Sequence, residues 1–346
     1  MTLRWGILGT GNIAKQFAAG VLRADRSRLI AVGSRSEDSA RGFADQFHTP
    51  NVYGSYDAVL NDRDVDAVYL SLPNSMHHQW TIRSLNAGKH VLCEKPFAMN
   101  AAESEEMFDV AKRAGKVLIE AFMYRAHPQT HAIVDAVRSG KIGELKLIRT
   151  SFCYRTTKIA GNVRFVRELG GGALMDVGCY CLNFSQLIAA TAPVAVHAVA
   201  KLHESGVDEM TSGVLLFPAG VSATFTCGMS VQTDNAAYIC GTEGYIQVDW
   251  PWKPQPGKSG FVIARGIPPR QDQKDAKGVT DAKTQATSTP PREGVEVPVD
   301  RELYAIEADA FAASVLDGTA PFVSQQDTLS NMRLLDEIRR QIGLNF

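Results

Sequence analysis

No stretch of the 346 residues reaches the roughly 18 consecutive apolar residues that a membrane-spanning helix needs. No charge of one sign dominates either: 36 Lys and Arg stand against 37 Asp and Glu, a formal net charge of −1. A near-neutral chain without a polybasic run lacks the electrostatic footprint of a nucleic-acid or membrane-surface binder, so neither partner is expected. The amino terminus has no charged leader followed by a long apolar run, and no secretion signal is expected there. Cysteine is scarce and scattered. The six, Cys93, Cys153, Cys179, Cys181, Cys227 and Cys240, form no C-x-x-C pair. That spacing argues against a disulfide framework and against a metal site. We expect no metal, buried thiols in a reducing compartment, and hence a cytoplasmic protein.

What is present is a rhythm. Within residues 1–122, short apolar runs at 4–8, 28–33, 51–52, 67–72, 90–93 and 117–120 alternate with amphipathic stretches such as 13–23, 37–47 and 103–114. The runs are continuous rather than alternating and rich in aliphatic and β-branched residues. That is the pattern of strands buried on both faces of a parallel sheet. After about residue 123 the rhythm changes. A helix at 128–139, a strand at 144–154, a Gly- and Arg-rich loop and a helix from 173 to 190 lead into strand-like segments at 195–202, 211–217, 221–229, 237–241 and 245–250. Pro218-Ala219-Gly220 and Thr242-Glu243-Gly244 read as hairpin turns. This half is therefore predicted to be a mostly antiparallel sheet with helices on one face. Residues 253–294 read mostly as exposed loop, and amphipathic helices at 301–317 and 325–342 close the chain. A chain this long divides naturally into two domains, here 1–122 and 123–346, with the closing helices free to return to the first.

Gly9-Thr10-Gly11-Asn12-Ile13-Ala14 follows the first strand and opens a helix, the context that a G-x-G-x-x-G/A dinucleotide fingerprint requires. Gly9 permits the tight turn, Gly11 lets backbone approach a pyrophosphate, and Ala14 lets helix and strand pack closely. The free N–H groups of the helix start then face the phosphates. The second strand ends in Ser34-Arg35-Ser36, with no carboxylate at its tip to take a ribose 2′-hydroxyl. Arg35 is suited to a 2′-phosphate, so NADP is expected as cofactor, with NAD the alternative.

Ser71-Leu72-Pro73-Asn74-Ser75-Met76-His77, then Ala87 through Glu94-Lys95-Pro96, and Gly170 through Asp176-Val177-Gly178 resemble the signature of the glucose–fructose oxidoreductase / inositol dehydrogenase / MocA family. Glu120 to Arg125 and the Asp176-x-x-x-Tyr180 pair are similar to the dihydrodiol dehydrogenase and NADP-linked xylose dehydrogenase branch. The resemblance covers nearly the whole chain. It implies an α/β fold: an N-terminal Rossmann doubly wound parallel sheet, plus a C-terminal α+β domain with a large, mostly antiparallel, open-faced sheet. It also implies a homodimer, or a dimer of dimers, through that sheet. Ser71, Leu72, Pro73, Asn74, His77, Glu94 and Lys95 would join Gly9, Thr10, Gly11, Asn12, Ile13, Ser34 and Arg35 around the cofactor.

The same residues make chemical sense. Lys95 follows a buried strand at the carboxyl edge where such sheets bind ligands, and partial desolvation is expected to disfavour its ammonium. Asp176 and Tyr180, four apart on a helix, share a face. Tyr180 is expected to exchange the substrate proton with help from Lys95, and Asp176 to orient the substrate. The family often carries His where Tyr180 stands. Arg125 and Arg164 are further candidates to reach the substrate, and loops 152–169 and 229–235 are expected to line its pocket. The reading is an NADP-dependent oxidoreductase acting on a cyclic sugar, oxidised to a lactone, or on a vicinal diol. Reduction of a keto-sugar such as an anhydrofructose is the rival direction. A non-catalytic NADP sensor is the rival of another class.

Overall fold

The computed structural model describes residues 1–266 and 290–344. Six strands form one parallel sheet: β1 Leu3–Leu8, β2 Ser27–Gly33, β3 Asn51–Tyr53, β4 Ala67–Leu70, β5 His90–Cys93 and β6 Leu118–Glu120. Their order, β3-β2-β1-β4-β5-β6, reverses the direction of winding between β1 and β4 and opens a crevice at the strands' carboxyl ends. Leu3, Trp5, Ile7 and Leu8 of β1 and all of β4 are fully buried, which is why these strands read as continuous apolar runs. Helices α1 Asn12–Val21, α2 Glu37–Phe47, α3 Tyr56–Asn61, α4 His77–Asn86 and α5 Ala101–Ala114 complete this half. Neither α3 nor α4 carries a strong periodic signal. The first is six residues long and starts on a Ser55 side chain that accepts from the Ala58 N–H.

The second sheet is built from β7 Leu145–Cys153, β8 Ala195–Leu202, β9 Asp208–Leu216, β10 Ser222–Gly228, β11 Ala237–Gly241, β12 Gly244–Val248, β13 Gly260–Arg265 and β14 Arg292–Glu296. Its order is β14-β13-β12-β11-β7-β10-β9-β8, and every pairing is antiparallel except β10 with β7. The two predicted hairpins close with Leu216 opposite Ser222 and Cys240 opposite Tyr245. β13 and β14 correct the expectation of a mostly exposed loop. Phe261 and Ile263 alternate into the core, a signal too short to stand out among the surrounding polar residues. Residues 267–289 of that expected loop lie outside the described residues.

Helix α6 Pro128–Arg138 precedes β7, and α7 Cys179–Ala189 packs on β7 and β10. The closing helices are α8 Leu303–Leu316 and α9 Gln325–Gln341. The first is not amphipathic as expected but buried on most sides, between α1 and the turn Met123–Ala126. Phe311 meets Trp5 of β1 with ring centroids 4.9 Å apart. α9 ties both halves together: Arg339 Nη1 donates to the Met99 carbonyl and Gln341 Nε2 to that of Val196. Among the described residues no helix is long and apolar enough to cross a membrane, and all six cysteines are free.

Candidate active site

Gly9 follows β1 with φ of +104°, and a Cβ there would stand 3.0 Å from Ser71 Oγ and 3.2 Å from the Leu72 side chain. Only glycine suits that turn. Gly11 then N-caps α1 without any side-chain cap, and the space where its Cβ would project is open. The unpaired N–H groups of the first turn of α1 thus face a cleft of about 690 Å³. The cleft is lined by Gly9 through Ile13, Ser34, Arg35, Ser71 through Asn74, Glu94 and Lys95 from the first half of the chain, and by Arg164, Asp176 and Tyr180 from the second half. These residues fit a dinucleotide. An uncapped helix start suits a pyrophosphate, and the tip of β2 offers a guanidinium instead of a carboxylate. Arg35 stands beside the Tyr56 hydroxyl, while nearby Glu37 is engaged by Arg41 at 2.7 Å.

Lys95 projects from the loop after β5 across the cleft. Its Nζ donates to the Asp176 carbonyl at 2.7 Å and lies 3.4 Å from Oδ1. The other carboxylate oxygen, Oδ2, accepts from Tyr154 Oη at 2.6 Å and from Arg164 Nε at 2.7 Å. Asp176 lies in a π-helical turn, Leu174–Gly178, just before α7, a geometry that recurs at functional sites. Burial alone would push its carboxyl up. The charges of Lys95 and Arg164 and the hydrogen bonds from Tyr154 and Arg164 overcome that and bring it down to about 2. Lys95 behaves contrary to expectation. Burial favours its neutral form, but Asp176, Cys179 and Glu94 outweigh burial and hold the ammonium above the usual lysine value. Behind it Glu94 is buried, takes the Tyr69 hydroxyl on Oε1 and accepts from the Lys95 N–H at 3.2 Å. Burial raises this carboxyl, with Lys95 and the Tyr69 bond opposing.

Other expected residues sit differently. Tyr180 lines the cleft, but it presents its ring face to Lys95, whose Nζ lies 5.0 Å from the centroid. Its hydroxyl points to Met123 Sδ at 3.4 Å, and burial followed by Glu94 pushes the phenol well above its usual value. His77 does not line the cleft. It is fully buried, with Nδ1 2.9 Å from the Pro96 carbonyl and Nε2 2.8 Å from that of Leu72, and so braces the two cofactor-side loops. Arg125 does not reach the cleft either. It is spent on Asn183 at 3.1 Å and Asp327 at 2.9 Å, linking the start of the second half to α9. Loop 152–169 lines the cleft through Tyr154, Thr156, Asn162 and Arg164, whereas 229–235 contributes nothing to the lining and braces β7 through Asn235 Oδ1, which accepts from the Cys153 N–H at 2.7 Å.

Sequence reasoning singled out neither Tyr56 nor Tyr154, the latter only a member of the expected loop 152–169, and it missed Lys253. The first two carry no motif. Lys253 fell inside the stretch read as loop. It follows Trp252, which stacks on Phe152 at 5.6 Å and donates from Nε1 to the Ser151 carbonyl at 2.9 Å.

Two family models match the chain. Residues 3–122 match the oxidoreductase family with an NAD-binding Rossmann fold, and residues 130–247 match the GFO/IDH/MocA C-terminal domain. A trans-1,2-dihydrobenzene-1,2-diol dehydrogenase of Mus musculus is 37% identical over 257 residues, 73% of this chain and 77% of that protein. A D-xylose 1-dehydrogenase (NADP(+)) of Haloferax volcanii is 30% identical over 97% of this chain and 96% of its own. The crystal structure of a 3-ketoreductase from Actinomadura kijaniata in complex with NADP and TDP-benzene matches with a TM-score of 0.85 at 30% identity, covering 99% of this chain and 98% of that one. With both halves matched and the glycine turn and Lys95 on one cleft, the chain belongs to the GFO/IDH/MocA family of nicotinamide-dependent oxidoreductases.

Proposed function

We propose that the chain is an NADP-dependent oxidoreductase that moves hydride between the nicotinamide and a CH–OH carbon of a cyclic sugar or vicinal diol. In this reading residues 1–122 hold the cofactor, and 123–346 supply the substrate wall. The observation that carries it is the Lys95 ammonium, drawn to Asp176 inside the cleft that begins at the glycine turn. When bound, the nicotinamide supplies the capacity to take or give hydride. The chain's own residues do the rest. Lys95 donates a hydrogen bond to the reacting oxygen and stabilises negative charge as it develops there. Asp176 stays ionised, fixes Lys95, and with Tyr154 and Arg164 forms a rigid polar wall for sugar hydroxyls. Tyr180 seats the ammonium on its ring face, and the lysine carries the proton.

One observation favours the reductive direction. A lysine that keeps its proton is in the form that reduction uses, a donor to the reacting oxygen, whereas oxidation needs the form without it. The reaction equilibrium and the ratio of the two cofactor forms set the net direction; the name of the 3-ketoreductase neighbour agrees with reduction. NADP is supported by the Arg35 tip and by the NADP named with two of the relatives. A sensor without chemistry would not need the Lys95–Asp176–Arg164 assembly. We further propose a reducing, cytoplasmic setting, in keeping with six free thiols, and a homodimer through the outer face of the second sheet. There Val199, Val214 and Leu216 are 74%, 48% and 45% exposed.

The test is a panel of aldoses, vicinal diols and keto-sugars, run with both cofactors in both directions and followed at the absorbance of the reduced nicotinamide. Turnover with NADP(H), and tighter binding of NADP than NAD by fluorescence titration, are expected. Nucleotide binding without turnover across the panel would return the sensor reading, and tighter NAD would remove Arg35 from cofactor choice.

A further inference from the structure

The catalytic end of the cleft holds more positive charge than it uses. Lys95, Arg164 and Lys253 gather there around a single carboxylate kept ionised, Asp176, with Glu94 buried behind Lys95. Lys95 and the Nε of Arg164 are committed to Asp176. Nη1 and Nη2 of Arg164 make no hydrogen bond among the described residues, and Lys253 Nζ has neither a hydrogen bond nor an ion pair there.

Lys253 is exposed, but it lines the cleft wall instead of standing on a free loop. It is flanked by Trp252, anchored on Phe152 and Ser151, and by buried Pro254, so its backbone is fixed at the cleft wall. Its charged neighbours are Lys95, Glu94, Asp176 and Arg164, all at the Lys95 end of the cleft, and Arg35 is not among them. An oxidised nicotinamide would add one more positive charge. A neutral aldose or diol offers such a site only hydroxyl oxygens, whereas a carboxylate or phosphate meets a free guanidinium fork and a free ammonium with charge-assisted bonds.

We infer that the substrate is a sugar or polyol bearing an anionic group, carboxylate or phosphate, and that Lys253 with the free end of Arg164 binds that group. This rests on the proposed oxidoreductase reading and names its substrate class.

The experiment compares matched pairs with NADP: D-glucose against D-glucuronate, D-galactose against D-galacturonate, and glucose 6-phosphate as the phosphate arm, in the wild type and in Lys253→Met. The wild type is expected to favour an acidic member by about tenfold or more in kcat/KM, carried mostly by KM, and Lys253→Met to erase about tenfold of that preference while NADP affinity stays within about twofold. Which arm wins separates a carboxylate from a phosphate. Equal or better use of the neutral sugars by the wild type overturns the inference and leaves the oxidoreductase reading standing. So does an unchanged acid-to-neutral ratio in the variant. A loss of NADP affinity equal to the loss of the acidic substrate would hand Lys253 to the cofactor and also overturn it. No turnover of these sugars with NADP, together with none of keto-sugars with NADPH, sinks the oxidoreductase reading instead. Calorimetric titration of glucuronate and glucose into the NADP-loaded protein then decides the anion site by itself: tighter glucuronate supports it, and equal binding refutes it.

Discussion

Lys95 and Asp176 owe their chemistry to each other more than to their positions. Either charge alone would be costly in so enclosed a place; together, with Arg164 and Tyr154, both stay ionised. Replacing Lys95 with Ala is expected to cost about 10²-fold or more in turnover, the usual scale of acid–base help, with NADP affinity retained. Tyr180→Phe is expected to cost less, because its hydroxyl faces Met123 and not the ammonium. Steady-state kinetics on both variants check this, and the opposite order would give the proton to Tyr180. The pH dependence follows from the raised ammonium: oxidation should climb as pH rises and deprotonates Lys95, while reduction stays level and then falls. Lys95 and Asp176 were legible because they sit in contiguous motifs. Tyr154 is one of nine tyrosines with nothing around it to mark it, and Lys253 lies 77 positions from Asp176. Their significance is a distance in space, which no local pattern encodes.

At the scale of elements, α1 must lie close to α8 for the glycine turn to hold its angle. A Cβ on Gly20 would stand 2.5 Å from Tyr304 Cβ and 2.7 Å from the Tyr304 carbonyl carbon. Gly20→Ala is expected to destabilise by roughly 1–3 kcal/mol through overpacking, read as a lower denaturant midpoint with an unchanged slope. The end of β6 holds a different tension. Glu120 is fully buried with neither carboxylate oxygen in ordinary hydrogen-bond geometry, and burial pushes it up to about 8. Because the folded chain keeps that proton longer than the unfolded chain, whose glutamate titrates near 4.5, stability drains away as pH rises through the interval between those values. Between pH 5 and 8 the wild type should lose about 4 kcal/mol that Glu120→Gln does not, at about 1.4 kcal/mol per pH unit. Denaturation of both proteins at the two pH values measures it, and parallel pH curves would place the ionised group elsewhere. Strong patterns marked most elements in advance. α3, α4, β13 and β14 escaped because they are short or polar; α8 was expected as a helix, but its burial on most sides was not, since that depends on what packs around it.

For the whole molecule, the second sheet leaves its outer face uncovered while α7 and α9 pack against its inner side. If that face joins two copies, Val214→Lys should shift the mass measured by light scattering from dimer to monomer, and a wild type that is monomeric at micromolar concentration removes the proposal. The apolar runs and the glycine turn determined the parallel sheet and its cofactor class, because hydrophobic periodicity and backbone permissiveness are local properties that neighbouring residues carry together; the lysine at its edge was marked by the resemblance of the motif around it. Only the tertiary structure decided that Lys95 stays charged, that His77 and Arg125 are braces, that Tyr154 meets Asp176, and that Lys253 stands in the cleft. Protonation and partnership depend on burial and on charges brought near from distant parts of the chain, and these exist only once the two sheets have met.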